Sequence, residues 1–404
     1  MSPLFDDTAI AFAHKTDGEL QAAYRLFSLV RYPWLVGLGT RVLPLLVRAG
    51  LPVKGVLRQT IYRQFVGGET LEETAPVVRR LAGAGVQVIL DYGAEGREDE
   101  TSFTAACENF LQVIDFAALQ QSIPFISVKV TALARFALLE RIDRLMAAGA
   151  GDLGGRYDAA LGHLVASERA EWERVEERME KICRSAVQQH IGVLVDAEES
   201  WIQGPIDALA LRLMQTYNGE KPFIYNTLQL YRQDRLAFLK ETDRLAVEKG
   251  FRAGYKLVRG AYMEKERLRA QERGLPSPIQ PSKTATDRDF NEAVQYCISR
   301  LDRLGIMVAS HNEESNLQAL QLLEKQGLPL NHPRVYFSQL YGMSDHITFP
   351  LARRGCNVCK YLPFGPVADV IPYLMRRARE NTAVQGQTAR EWSLLKKEMK
   401  RRGL

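Results

Sequence analysis

Cysteine is scarce in this chain: five residues, Cys107, Cys183, Cys297, Cys356 and Cys359, are scattered over 404. An odd, dispersed set is the pattern of reduced cytosolic thiols and excludes a disulfide framework. Only Cys356 and Cys359 are close, inside the apolar run Asn357-Val358-Cys359-Lys360-Tyr361. They have neither the second pair of a zinc site nor the helix start of a redox dithiol, so both are expected in the core. Long hydrophobic runs are missing as well. The most apolar region, Leu26 to Val53, is broken by Arg31, Pro33, Arg41, Pro44 and Arg48. Its uninterrupted stretches fall short of the ~20 residues that span a bilayer. Residues Met1 to Asp17 carry Asp6, Asp7 and Asp17 without a basic start and apolar stretch, so neither a secretory signal nor a transit peptide is expected, and the expected location is cytoplasmic.

Charge of one sign is also lacking, with 53 Lys plus Arg against 48 Asp plus Glu and a net charge of +5. The excess is interspersed, and a nucleic-acid partner needs a concentrated basic stripe. The six histidines include no H-E-x-x-H or related ligand spacing, so no metal is expected. A dinucleotide-binding Gly fingerprint is absent: Gly83-Ala84-Gly85 precedes an apolar run instead of following one.

What the chain does contain is a repeated beat of short apolar or β-branched runs. They are Val86 to Leu90, Pro124 to Lys129, Gly192 to Asp196, Phe223 to Thr227, Gly254 to Val258, Ile306 to Ser310, Val335 to Ser338 and Asn357 to Tyr361. Most of the intervening segments have helical periodicity, which predicts βα units. Eight parallel strands with crossover helices predict an α/β fold, a (β/α)8 barrel of the TIM type. The expected organisation is an N-terminal helical arm over 1–80, the barrel over 81–385 and a basic C-terminal helix or tail over 386–404. The long second interval holds a helical insertion, Glu168 to Gln188, with Trp172, Val175, Met179 and Ile182 as its buried stripe. In the fifth, the Pro-rich loop Gly274 to Pro281 lies on the side where barrels keep their active sites.

A barrel of this kind presents its chemistry at the C-terminal strand ends. Those ends carry Lys129, Asp196, Gln229, Arg259, His311, Gln339 and Tyr361. Any one of them is equally well a structural charge or hydrogen bond; seven at matching positions point to a site. Adjacent Arg376 and Arg377, on a segment of helical character, suit a planar anion such as a carboxylate if both face one cavity. Lys129 and Lys256 leave a Schiff-base aldolase open as another class of enzyme.

Four motifs carry a family resemblance. Lys256-Leu257-Val258-Arg259-Gly260-Ala261-Tyr262, Ala309-Ser310-His311-Asn312, Gln339-Leu340-Tyr341-Gly342-Met343 and Tyr361-Leu362-Pro363-Phe364-Gly365 with Pro372 to Asn381 occur in that order. Together with Ile126 to Lys129 and Val195 to Glu198, they resemble proline dehydrogenase, most closely its stand-alone, mitochondrial-type members. The resemblance implies a barrel that holds FAD noncovalently and oxidises L-proline to Δ1-pyrroline-5-carboxylate, with a membrane quinone as electron acceptor. It implies that Arg376, Arg377 and Lys129 hold the proline carboxylate. Tyr361 and Leu340 would pack on the pyrrolidine ring, Tyr262 would line the same pocket, and Asp196 would organise the ion pairs. Gln229, Arg259, Gly260, Ala261, His311, Asn312 and Glu380 would contact the flavin, with Thr284 near its adenylate end.

Two positions depart from the family pattern. Lys256 stands where many members have arginine near flavin N5. Gln339 is offset by one residue, which in a strand reverses side-chain direction and brings Ser338 forward as the alternative flavin contact. The related hydroxyproline dehydrogenases have a smaller residue at the position of Tyr361, so Tyr361 implies a preference for proline. A peripheral membrane contact is expected from Leu394 to Arg402, where five cations stand beside Leu394, Leu395 and Met399 as in a surface-seeking helix.

Overall fold

The computed structural model describes residues 3–30, 55, 58–93, 98–367, 369–371, 373–376 and 385–404. Eight strands form a closed barrel in sequence order: β1 (Gln87–Tyr92), β2 (Phe125–Val128), β3 (Gly192–Val195), β4 (Ile224–Gln229), β5 (Ala253–Val258), β6 (Leu304–Ala309), β7 (Val335–Leu340) and β8 (Val358–Phe364). The pairings are parallel, as the βα alternation predicts, and each expected strand is present. The chain divides into two compact units, Met1–Glu95 with Ser310–Leu404, and Gly96–Ala309.

In the unit Gly96–Ala309, glycine decides how the barrel interior is filled. A Cβ at Gly192 would overlap the Phe125 ring, and one at Gly254 or Gly305 would overlap Tyr225. The absent side chains admit the two aromatic rings, which meet edge to face with centroids 5.5 Å apart. Side chains alternate along each strand. Tyr225 points inward, so Thr227 and Gln229 share its face, whereas Asn226 reaches outward to Asp207 of a surrounding helix at 2.9 Å.

The long helix Ala166–Gln188 carries the expected stripe, with Trp172, Val175, Met179 and Ile182 fully buried. It is the crossover helix that packs on β3 between Glu100–Ala118 and Gln203–Tyr217. The additional helices are the preceding Phe136–Ala148 and Leu153–Gly162, so the insertion lies earlier than its charge pattern suggested. The Pro-rich loop is anchored: Gln280 N–H donates to Tyr231 O at 2.7 Å, and Ile279 bridges Arg232.

In the other unit, three helices matter most: α1 (Asp17–Val30), α2 (Asp345–Arg353) and α3 (Gln385–Arg402). The arm and the basic tail are not separate appendages. Helix α3 lies on α1, and Leu394 and Leu395 are buried with Leu20, Ala23 and Phe27 in one apolar cluster. Three of the five cations in Leu394 to Arg402 have polar partners within the chain too. Arg402 pairs with Glu398 and Asp17 and donates to the carbonyls of Phe12 and Lys15; Arg401 pairs with Glu398, and Lys397 donates to Asp6 O. A surface-seeking helix needs its apolar side outward, whereas here that side is occupied by α1. The expected membrane contact through Leu394, Leu395 and Met399 is therefore corrected. The apolar segment 31–54 lies outside the described residues, and no described helix is long and apolar enough to cross a membrane.

Candidate active site

The unit Gly96–Ala309 builds its site around one carboxylate. Asp196 follows β3 and points into the barrel, where its Oδ1 takes a hydrogen bond from Lys256 Nζ and its Oδ2 lies 3.8 Å from Lys129 Nζ. The three side chains are only 6–12% exposed. Two buried ammoniums on one carboxylate are stable only because the carboxylate is there. Lys256 stands beside Thr227 in the β4–β5 register, and both point inward. Thr227 Oγ is buried with no partner, an open hydrogen-bonding group in the barrel lining. One turn of the pleat higher, Gln229 donates its Nε2 to Glu198 O at 2.7 Å, which orients the amide and leaves its oxygen to accept.

Glu198 is the nearest perturbed acid in this unit. Burial raises its carboxyl to about 7, against hydrogen bonds from Thr131 at 2.5 and 3.1 Å and with the Glu199 charge adding to the rise. The motif after β5 is shaped by Gly260, which has φ +139° and whose absent Cβ would meet the Tyr231 ring. No L side chain fits there, so backbone and ring approach closely. Arg259 pairs with Asp287 at 2.7 Å and lies over the Phe290 ring at 4.4 Å, and Lys283 joins the same aspartate at 2.5 Å. Thr284 is exposed on the first turn of that helix, Lys283–Ile298, while Ala261 and Tyr262 are half-buried ahead of Met263–Arg273.

The second group belongs to the unit Met1–Glu95 with Ser310–Leu404. Leu340 and Tyr361 are neighbours in the β7–β8 register and share a face. Lys360, next along β8, points the other way, to Asp345 on α2 at 2.9 Å, so Leu340 and Tyr361 face the barrel interior. Gln339 pairs in register with Lys360 and likewise faces the helix layer. Its amide donates to Ser310 O at 3.1 Å and Asn316 Oδ1 at 3.3 Å and accepts from Thr348 at 2.8 Å. This disposition leaves Ser338 as the inward side chain at that level.

His311 Nδ1 lies 2.8 Å from Ser344 Oγ, and Asn312 caps the helix Glu313–Lys325 by accepting from Ser315 N–H at 2.9 Å. Arg376 is half-buried in the helical residues 373–376; Arg377 and Glu380 lie outside the described residues. One inward acid escaped the sequence reading. Asp91 shares the face of Tyr361 through the β1–β8 register and is 3% exposed. Its signal was the aspartate immediately after the run that ends at Leu90.

Charge is concentrated behind His311. His346 Nε2 is 3.1 Å from Glu313, its Nδ1 is 3.6 Å from Glu391 of α3, and Arg390 pairs with Glu313 at 2.7 Å. Burial opposes the charged imidazole, yet the two carboxylates outweigh it and raise His346 to about 9 from an ordinary 6.5. Glu313, against its own burial, is held down at about 2 from an ordinary 4.5 by His346 and Arg390. Stabilisation by His346 is therefore complete below its unfolded value of 6.5 and is lost as pH rises through about 9, while that of Glu313 is lost as pH falls from 4.5 toward about 2. His346→Gln should lower Tm most near pH 6 and least above about pH 9. An equal loss of Tm at both pH values would mean that His346 acts by packing alone.

The donor set suits a flavin: an orphaned buried hydroxyl, an oriented amide and paired cations line one side of the barrel, and a cradle at Gly260 admits no side chain. No cluster of His, Cys, Asp or Glu among the described residues has the arrangement of a metal site.

Comparison with known proteins gives the family. Residues 75–390 match the family described as proline dehydrogenase. Among curated relatives, the carbapenem antibiotics biosynthesis protein CarD of Pectobacterium carotovorum is 37% identical over 86% of each chain. Proline dehydrogenase 1 of Dictyostelium discoideum is 30% identical over 98% of this chain and 74% of its own. Hydroxyproline dehydrogenase of Xenopus laevis is 30% identical over 98% of this chain and 90% of its own. Proline utilization A of Bdellovibrio bacteriovorus has a similar fold, with TM-score 0.68 and 19% identity over 94% of this chain. This chain spans 36% of the length of that protein. The family match over most of the sequence, joined to the barrel and its inward residues, places the chain in the proline dehydrogenase family.

Proposed function

We propose that this protein oxidises L-proline to Δ1-pyrroline-5-carboxylate with noncovalent FAD and delivers the electrons to a membrane quinone. The observation that carries the proposal is the buried trio of Lys129, Asp196 and Lys256 beside the open Thr227 hydroxyl, a charged and partly unsatisfied lining suited to a zwitterionic ring and a polar cofactor. FAD would supply the hydride acceptor, which no side chain provides.

The chain's own residues orient and polarise. Lys129, with Arg376 and Arg377, would grip the carboxylate by charge-assisted hydrogen bonds. Leu340 and Tyr361 would hold the ring, with Tyr262 beside them. The amine releases hydride only when neutral, and the trio's net positive charge opposes a further proton on it. Gln229, Lys256, Arg259, Gly260, Ala261, His311 and Asn312 would hold the cofactor, with Thr284 toward its adenylate end and Glu380 in the same role. Ser338 takes the contact first expected of Gln339. An aldolase fits less well, because both candidate lysines are ion-paired to Asp196 and a Schiff-base lysine attacks as a neutral amine.

The purified protein should be yellow, release its flavin on heating and bleach anaerobically when proline is added. A correctly folded preparation that stays colourless after incubation with FAD would overturn the proposal. Hydroxyproline dehydrogenases among the relatives make the hydroxylated ring a second candidate substrate. Tyr361 is 9% exposed in the barrel lining, and in this proposal its ring takes the room an extra hydroxyl would need. Proline should therefore be preferred, and Tyr361→Ser should narrow the ratio of kcat/KM for proline to that for trans-4-hydroxyproline. A wild-type preference for the hydroxylated substrate would refute this assignment of Tyr361. In this proposal the quinone is met at a surface other than the packed face of α3.

A further inference from the structure

We infer that Ser344 and Glu391 are positioning residues that fix His311 from the C-terminal helix. The inference rests on the proposed FAD site only in what it says His311 is held for.

Ser344 is one of two described non-glycine residues with positive φ, at φ 53° and ψ 41°, a left-handed conformation that a serine adopts only under strain. It is buried, and its surroundings over-determine it. Its N–H donates to Glu391 Oε2 at 3.1 Å, and its carbonyl accepts from Ile347 and Thr348 at 3.0 and 3.1 Å as α2 begins. Glycine would adopt these angles without strain but has no hydroxyl. The hydroxyl is the group that reaches His311 Nδ1 at 2.8 Å. A hydroxyl can donate to or accept from an imidazole nitrogen, so the strained serine fixes the ring orientation whichever tautomer is present.

Glu391 is itself anchored. It is 7% exposed, and His346 Nδ1 lies 3.6 Å from the same carboxylate oxygen, an ion-pair contact that holds the carboxylate in place. The preceding residue, Arg390, grips Glu313, the first residue of the helix that Asn312 caps, and also Asp6 at 2.7 Å. Two successive residues of α3 thus support two successive candidate flavin contacts: Glu391 acts through Ser344 on His311, and Arg390 acts through Glu313 beside Asn312. Loss of the Glu391 carboxylate would free the Ser344 backbone, and the hydroxyl would leave the imidazole.

The test uses full-length protein with Ser344→Gly, which removes the hydroxyl and relieves the strain, and Glu391→Ala with Glu391→Gln as its conservative partner. Flavin fluorescence gives Kd for FAD in the His311 and His311→Ala backgrounds. Ser344→Gly and Glu391→Ala should each weaken FAD about three- to tenfold, the loss of one hydrogen bond's worth of positioning. Neither should add to the effect of His311→Ala, since residues acting through one side chain are non-additive. Glu391→Gln should recover most of the affinity, because its amide oxygen still accepts from Ser344 N–H. Equal losses in both backgrounds, or unchanged Kd in both variants, would overturn the inference. A second readout needs no cofactor: the ring-nitrogen NMR shifts of His311 in FAD-free protein should move in both variants. If wild-type protein binds no FAD while those shifts move, the proposed function fails and the positioning stands. Unmoved shifts would refute the positioning itself.

Discussion

Asp196→Ala is expected to cost the protein both stability and turnover, since removing one partner from a buried ion pair typically costs about 3–5 kcal/mol. Here the loss leaves two ammoniums, Lys129 and Lys256, facing each other in the barrel lining without their shared carboxylate. Thermal unfolding should shift down by several degrees, and kcat/KM for proline should fall by at least about a hundredfold. The double variant Asp196→Asn/Lys129→Met should regain much of the stability, because only one cation then remains, but not the turnover. If Asp196→Ala unfolds within a degree of wild type, the trio is not the electrostatic centre of this half of the barrel.

The second large effect concerns the substrate carboxylate. Arg376→Met is expected to raise KM for proline by roughly 30- to 5000-fold, the equivalent of about 2–5 kcal/mol for one arm of a desolvated charge pair. Arg377→Met should behave similarly. The discriminating measurement is inhibition by two proline analogues, one a ring carboxylic acid without the amine and the other a ring amine without the carboxylate. Loss of an arginine should weaken the first strongly and the second little. Equal weakening of both would mean that the arginines shape the pocket without clamping the carboxylate, and unchanged kinetics would leave them as a solvated helix face.

Much of the fold was legible because strand alternation and helical periodicity are local signals. The runs from Val86 to Leu90 through Asn357 to Tyr361 mark eight strands, and the parity of β8 explains why Tyr361 and Lys360 serve different layers. Gln339 shows the limit of motif position. The strand was legible, but which way its glutamine points depends on pairing with Lys360, a contact between elements. The basic C-terminal stretch shows another limit. Its composition is that of a membrane-seeking helix, and only the apolar face of α1 reveals a partner within the chain. Asp91 lay one residue beyond a recognised run. Ser344 and Glu391 carry no motif at all, since a backbone strain and a hydrogen bond spanning 47 residues leave no periodic trace.

The pairing of α1 with α3 also bears on biosynthesis. Trp392 bonds Ser28 across 364 residues of sequence, and Arg402 reaches Phe12 across 390. At roughly 5–20 residues per second, a ribosome needs on the order of 20–80 s to make the intervening chain. Throughout that interval the apolar side of α1, with Leu20, Ala23 and Phe27, has no native cover from α3. Nascent α1 is thus a long-lived hydrophobic client for chaperones, and its pairing with α3 forms only after α3 has left the exit tunnel.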